Sequence, residues 1–449
     1  MARVDAQVAI AHPSSLKASA LSGITLPWLV RALLAGCFLM AFLQYELHSE
    51  VGQFIHLAFL FAAALVVLSG PQRRVRIQGL FGAGALLWAG VLFSEAISYI
   101  SGDRYSMTYG LVFIAVVAAA RLIVIEIGIP NVLRAYSQAA MLTVAILLFT
   151  GQQSLREGTN RFNGGANVHP NLVAFILGGF FCVVVWRALE YKVRWKRRLA
   201  AFLAVLNFIF IFDAGSRGTL GGLLVAGFVI AGRRMLAGRW VGRMRIRHWH
   251  VIGVAIALPL MVAYLVQHAR LEHFLDFLDT SLDLTSTQRG LNSGLSGRTG
   301  IWQIAFRLLA EQNRWIFGFG YRAGDRLVGT LDNGYVQLLF DSGLLAGSMI
   351  LGSMLRVFVV VWRASRPGEN TPWSRYYTTL CALMIVYLLN NISARYLFSF
   401  GSSFSLLIIL LVTASRRDLE DVKSPVRVRP RTAEPLARPG EMAWSAPER

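Results

Sequence analysis

The chain has 449 residues, 55% of them hydrophobic and only 15% charged, with a formal net charge of +20 at pH 7. A soluble protein of that length carries more charge and less apolar surface, so the composition argues against a soluble globular domain. It argues equally against a transmembrane β-barrel, which shows short alternating strands rather than long apolar runs.

Apolar runs of roughly 18 or more residues, enough to cross a bilayer as a helix, recur along most of the sequence. The expected fold is therefore an all-α polytopic membrane bundle of about twelve spans with one large external loop containing short helices. Residues 1–23 read as a retained cytoplasmic segment, because they are mixed polar and the run after them is too long for a cleavable leader. The first two spans are expected at 24–42 and 51–68, and a basic turn at 71–76 leads to a third at 80–100, which carries Glu95. The fourth, 107–127, contains Arg121, and Pro130 is expected to break the helix before the fifth, 132–150. A polar loop at 151–168 ends in Asn167-Val168-His169-Pro170-Asn171, and Pro170 suits the first turn of a sixth span, 170–186. The seventh and eighth spans, 199–212 and 219–231, flank the tight turn Asp213-Ala214-Gly215-Ser216-Arg217-Gly218, and the ninth is expected at 251–266. The polar stretch 268–333 then precedes a tenth span at 335–362, an eleventh at 376–389 and a twelfth at 404–412. The transmembrane domain thus runs over 24–415, and the Arg- and Pro-rich tail 416–449 is expected to be disordered.

Alternation places the Lys- and Arg-dense loops at 71–78, 187–198, 233–250 and 363–375 on one face, together with both termini. The positive-inside rule makes that face cytoplasmic, and it accounts for most of the net charge without invoking nucleic acid. The basic loops would also contact anionic membrane lipids. Cys37, Cys182 and Cys381 fall in apolar runs with neither disulfide nor metal-ligand spacing, and no usual phosphate loop or dinucleotide fingerprint is present. Neither a metal nor a cofactor is expected.

The opposite face receives the loops at 151–168, 213–218 and 268–333, and with them Arg161, His169, Arg217, Arg298 and Asp332. Topology does not call for arginines there. Arg217 opens a helix at a glycine-flanked turn. Arg298 falls in the first turn of an amphipathic loop helix marked by Ile301, Ala305 and Leu308, with Ser296 as its cap. Helix N-termini welcome anions, and a guanidinium can grip a phosphate through two hydrogen bonds. Singly, each residue has an ordinary structural role: an arginine snorkelling to headgroups, His169 as a helix cap, Trp302 packing at the interface, Asp332-Asn333-Gly334 as a turn. Glu95 and Arg121 could pair within the bundle or line a polar path.

Four segments, in order, resemble the superfamily of O-antigen ligases and Wzy-type polysaccharide polymerases. They are Arg161 through His169-Pro170-Asn171, Ser216-Arg217-Gly218, Ser296-Gly297-Arg298-Thr299-Gly300-Ile301-Trp302, and Gly318-Phe319-Gly320 followed by Asp332-Asn333-Gly334-Tyr335 and Gly343. The resemblance spans roughly residues 161–410. It implies a metal-independent glycosyltransferase of the bacterial inner membrane whose donor is a glycan on undecaprenyl pyrophosphate, held by Arg217 and Arg298 with Arg161 nearby. Trp302, Asn333 and Asn171 would contact the sugars or acceptor. The expected partners are the lipid-linked donor and acceptor, membrane lipids, a chain-length regulator and a flippase, with no nucleic acid. Many ligases carry His-Asn at the end of the large loop, whereas this chain has Asp332-Asn333, which favours a polymerase. Asp332 is then the first candidate for general base and His169 the second. A ligase or O-linked protein glycosyltransferase differs only in its acceptor. A transporter or flippase would instead need mid-membrane charges and interrupted helices in matching halves.

Overall fold

The computed structural model describes residues 13–44, 52–70, 84–150, 152–156, 159–163, 169–236, 298–329, 331–365, 371–415 and 418–419. The ninth expected span, Ser296, Gly297 and nearly all of the tail lie outside the described residues.

The described chain is helical apart from one short ribbon. In order come α1 (Pro13–Leu43), α2 (Gly52–Ser69), α3 (Ala85–Ile100) and α4 (Arg104–Thr150). The strands β1 (Gln152–Arg156) and β2 (Thr159–Asn163) follow, then α5 (Pro170–Glu190), α6 (Arg194–Asp213) and α7 (Arg217–Leu236). Beyond the undescribed stretch lie α8 (Arg298–Glu311), α9 (Ala323–Leu327), α10 (Gly334–Ala364), α11 (Pro372–Asn390) and α12 (Ser403–Val412). Four of these helices are long and apolar enough to cross a membrane: Leu26–Leu43 within α1, α4, α5 and α10.

Several elements differ from expectation. The first helix begins at Pro13, eleven residues ahead of the expected span. The polar loop after α4 contains an antiparallel pair, β1 with β2, in which Ser154 faces Arg161. The fourth and fifth expected spans are one continuous element broken at Gly128, where φ is 69°. That is two residues before Pro130, whose ring and missing N–H forbid a regular turn. A second break, which the hydropathy does not foreshadow, falls at Gly343 inside α10, where φ is 67°.

Long-range ties sort the bundle into two ends. At one, which we term the upper end, Gln44 Nε2 donates to Gly401 O and His56 Nε2 donates to Phe400 O at 2.9 Å. The Gly334 N–H there donates to Asn391 O at 2.8 Å. At the lower end Arg375 Nη1 donates to Leu189 O at 2.6 Å, and Arg233 Nη1 donates to Ser365 Oγ at 2.6 Å. Lys192, between α5 and α6, and Arg194, Lys196, Arg197 and Arg198, in the opening turns of α6, sit at this lower end.

Arg121 does not pair with Glu95. It forms an ion pair with Asp418 and donates to Thr413 O at 3.2 Å. Arg356 Nη2 donates to Val412 O at 3.2 Å and Ala414 O at 3.0 Å. Two guanidiniums thus satisfy carbonyls that end α12, where a helix leaves its last acceptors open and carries partial negative charge. Two residues of the expected disordered tail, Asp418 and Leu419, are docked: Leu419 is fully buried and its carbonyl accepts from the Tyr377 hydroxyl. Glu95 lies instead against Gly110 of α4, in space that a Cβ on that glycine would fill.

Candidate functional site

The upper end of the bundle carries a cap with its own small core. In α8, Ile301, Trp302, Ala305, Phe306, Leu308 and Leu309 recur at three- and four-residue spacing, so one stripe faces inward. Ala305 and Leu309 are fully buried against Phe319, Ala323, Leu331 and Phe340. Because Phe340 belongs to the first half of α10, this packing fixes the cap to the bundle.

The break in α10 fixes it further. The N–H groups of Phe319 and Gly320 donate to the freed carbonyls of Phe340 and Asp341 at 3.0 and 2.8 Å. In return, the N–H groups of Leu344 and Leu345 donate to Trp315 O and Ile316 O at 2.8 and 3.1 Å. Segment 315–320 therefore replaces the helical bonds that Gly343 interrupts. The approach is backbone on backbone, and a Cβ on Gly318 would lie 2.5 Å from Asp341 O. The buried Asp341 carboxylate adds another tie, accepting from Gly324 N at 2.9 Å and Gln337 Nε2 at 2.8 Å.

The cap in turn positions the predicted residues. Trp302 Nε1 donates to Leu331 O at 2.7 Å, clamping the residue before Asp332. Asp332 has φ of 42°, and its carboxylate lies 3.6 Å from Arg298 Nε at the start of α8. Asn333 caps α10: its Oδ1 accepts from Tyr335 N at 2.9 Å and Val336 N at 3.1 Å, while its Nδ2 donates to Ile392 O at 2.9 Å.

The Asn390-Asn391-Ile392-Ser393 turn, at the end of α11, joins these motifs. On one side it receives Asn333 and Gly334. On the other, Asn390 Nδ2 donates to Thr219 Oγ1 at 2.6 Å, and Thr219 in turn shares a hydrogen bond of 3.1 Å with Ser216. Gly218 packs so closely on Ser393 that a Cβ would run into its hydroxyl. Arg217, half-buried at the first position of α7, is thereby brought to the same turn as the Arg298–Asp332 pair.

The remaining predicted residues sit as follows. His169 caps α5, its Nδ1 accepting from Asn171 N at 3.2 Å. That bond uses the lone pair a base would need and, in the neutral ring, leaves the proton on Nε2, so His169 is there a donor. Asn171 is in the first turn of α5, whose Phe175 packs at a tilt against Tyr396 in the loop after α11. Arg161 has its backbone in β2, with its side chain outside the described residues. Its neighbour Phe162 stacks on Phe210 near the end of α6, centroids 4.6 Å apart.

Sequence reasoning did not single out the Asn390–Ser393 turn, although an asparagine pair ending an apolar run is a turn-forming signal. Nor did it single out Asp325, which pairs with Arg322 at 2.6 Å and Arg395 at 3.3 Å. Burial works most strongly against the Arg322 charge, but the Asp325 carboxylate, Tyr105 and Tyr321 together outweigh that and hold the guanidinium above its usual range. No group of three or more His, Cys, Asp or Glu residues suited to a metal ion occurs among the described residues.

No family model and no curated protein sequence matches this chain. Chemically, the upper end offers two arginines at helix N-termini, a carboxylate already paired with one of them, and amides and an indole around the pair. Such a set suits a doubly charged anion next to a polar acceptor.

Proposed function

We propose that the protein is a membrane glycosyltransferase that polymerises lipid-linked oligosaccharide repeat units at the periplasmic face of a bacterial inner membrane. In this reading the bundle has about twelve spans, the basic lower end is cytoplasmic and the upper end periplasmic. The observation that carries it is the meeting of the Arg217 turn and the Asn333–Gly334 start of α10 on the Asn390–Ser393 turn, with Arg298 paired to the adjoining Asp332.

The donor is a glycan on undecaprenyl pyrophosphate. An acceptor hydroxyl attacks its anomeric carbon, the bond from that carbon to the pyrophosphate oxygen breaks, and the lipid pyrophosphate departs with the electron pair. Negative charge grows on the departing phosphate, so Arg217 and Arg298 act most strongly in the transition state. Asp332 takes the acceptor proton. In the resting state its carboxylate occupies Arg298. Pyrophosphate arriving at Arg298 takes over that guanidinium and frees the carboxylate for the acceptor.

Interrupted helices are a transporter feature, and α4 and α10 each have one, at Gly128 and Gly343. In α10 the Phe340 and Asp341 carbonyls are taken by the Phe319 and Gly320 N–H groups, so that break does not offer them to a passing ion.

The test is elongation by purified protein in lipid, supplied with undecaprenyl-pyrophosphate repeat units and no nucleotide or metal. Longer chains support the polymerase. Translocation without new glycosidic bonds would make it a transporter. Arg217→Ala and Arg298→Ala should each lower elongation by about a hundredfold or more, the scale of one lost transition-state donor, with normal membrane insertion. Arg298→Lys should also be poor, because the fork geometry is lost. Near-normal polymer from either alanine variant removes the clamp.

A further inference from the structure

A cavity of about 540 Å3 opens on the cap, bounded by the 101–104 turn between α3 and α4, the 312–314 turn after α8, and α9. Arg104, Arg314 and Arg326 line it, with Asp103 as its one acid. That acid is already engaged: it pairs with Arg326, accepts from Ser106 Oγ at 2.8 Å and from Tyr105 N at 3.3 Å. Arg104 and Arg314 make no ion pair among the described residues. The Ser101 hydroxyl, also on the wall, is buried without a partner there. The cavity thus presents surplus positive charge and an unused donor.

Its surroundings are apolar and exposed. Tyr99 and Ile100 are 70% and 71% exposed, and Ile316, Phe317 and Leu327 are also exposed. A patch of that kind around a charged recess suits the boundary between hydrocarbon and headgroups, where Trp315 beside it is also at home. α8 separates the cavity from Arg298 by its own length, roughly 20 Å at 1.5 Å per residue.

We propose that this cavity binds the phosphate of a second membrane-anchored ligand, distinct from the donor at Arg217 and Arg298. Cations recessed among lipid-facing residues recognise a phosphate carried by a lipid rather than one free in water. Two sources share that chemistry: a lipid-linked glycan, and an anionic phospholipid headgroup. The first rests on the polymerase reading. A polymerase acceptor keeps its own pyrophosphate at the far end from the attacking sugar, so its anchor must be gripped an oligosaccharide's length from the reacting carbon. A ligase acting on a protein has no such need.

The experiment counts bound lipid. Full-length protein in phosphatidylcholine nanodiscs is titrated with undecaprenyl pyrophosphate, with phosphatidylglycerol as a separate arm, and the stoichiometry is read by native mass spectrometry. Two undecaprenyl pyrophosphates per wild-type chain are expected, and one in Arg104→Gln/Arg314→Gln. In elongation, that variant should raise KM for the lipid-linked acceptor about tenfold or more with kcat little changed, as expected for lost charge-assisted hydrogen bonds. Each single variant, checked by thermal unfolding, guards against a folding defect. Retention of phosphatidylglycerol in place of the second pyrophosphate, lost in the same variants, supports the site with phospholipid as its source. A single undecaprenyl pyrophosphate on wild type, with no phosphatidylglycerol retained, overturns the proposal, as does a count of two unchanged by the variants. Failure of the polymerase reading looks different: no polymer from wild type, with the count still responding to Arg104 and Arg314.

Discussion

Asp332 sits where chemistry and backbone disagree. A non-glycine residue at φ of 42° costs about 1–2 kcal/mol, and Trp302 and Asn333 hold it there from either side. Asp332→Gly should therefore raise thermal stability by about 1 kcal/mol while depressing elongation, a split measurable by pairing thermal unfolding with polymer assay. Asp332→Asn keeps the backbone and should depress elongation without the gain in stability; a wild-type rate would remove Asp332 as the base. Trp302→Phe loses the Nε1 hydrogen bond to Leu331 O but keeps the ring. It should cost about 1 kcal/mol of stability and slow elongation, because the residue it clamps adjoins Asp332.

The elements were legible to different degrees, for physical reasons. Apolar length announces a helix, so helices fall on the described apolar runs, although the first begins eleven residues early and only four are long and apolar enough to cross a membrane. Pro130 announces a break by its ring. The Gly343 break carries no such mark, because glycine is also ordinary in apolar helices; what sets it is segment 315–320, which lies earlier in the chain. The Asn390–Ser393 turn escaped notice for the same reason: its role depends on partners at 218–219 and 333–334 that only tertiary structure assembles. The residue types on the upper face could be read from charge, but their order around that turn could not. The break gives a direct test. Gly343→Ala adds a Cβ to a left-handed residue pressed against the Ile316 carbonyl, and should cost about 2–3 kcal/mol or more in thermal unfolding. Gly352→Ala on the same helix meets only Leu86 at 3.8 Å and should leave stability within about 1 kcal/mol of wild type.

Across the whole molecule, the lower end is held by cations on carbonyls and the upper end by a backbone graft. Arg121 and Asp418 illustrate the first: Asp418→Ala leaves a buried guanidinium without its carboxylate and should cost about 3 kcal/mol, much of it recovered in Arg121→Leu/Asp418→Ala. The graft at Gly343 has a consequence for biogenesis. It lies nine residues into α10, roughly 14 Å along the helix axis. If that depth is within the bilayer, the Phe340 and Asp341 carbonyls have no water to turn to when the helix enters. Their replacement donors come from chain translated beforehand and, in the proposed topology, already delivered across the membrane. Insertion of this helix and maturation of the outer cap are then a single event, and a version shorn of the cap should be recognised as misassembled and degraded rather than persist as an inactive bundle.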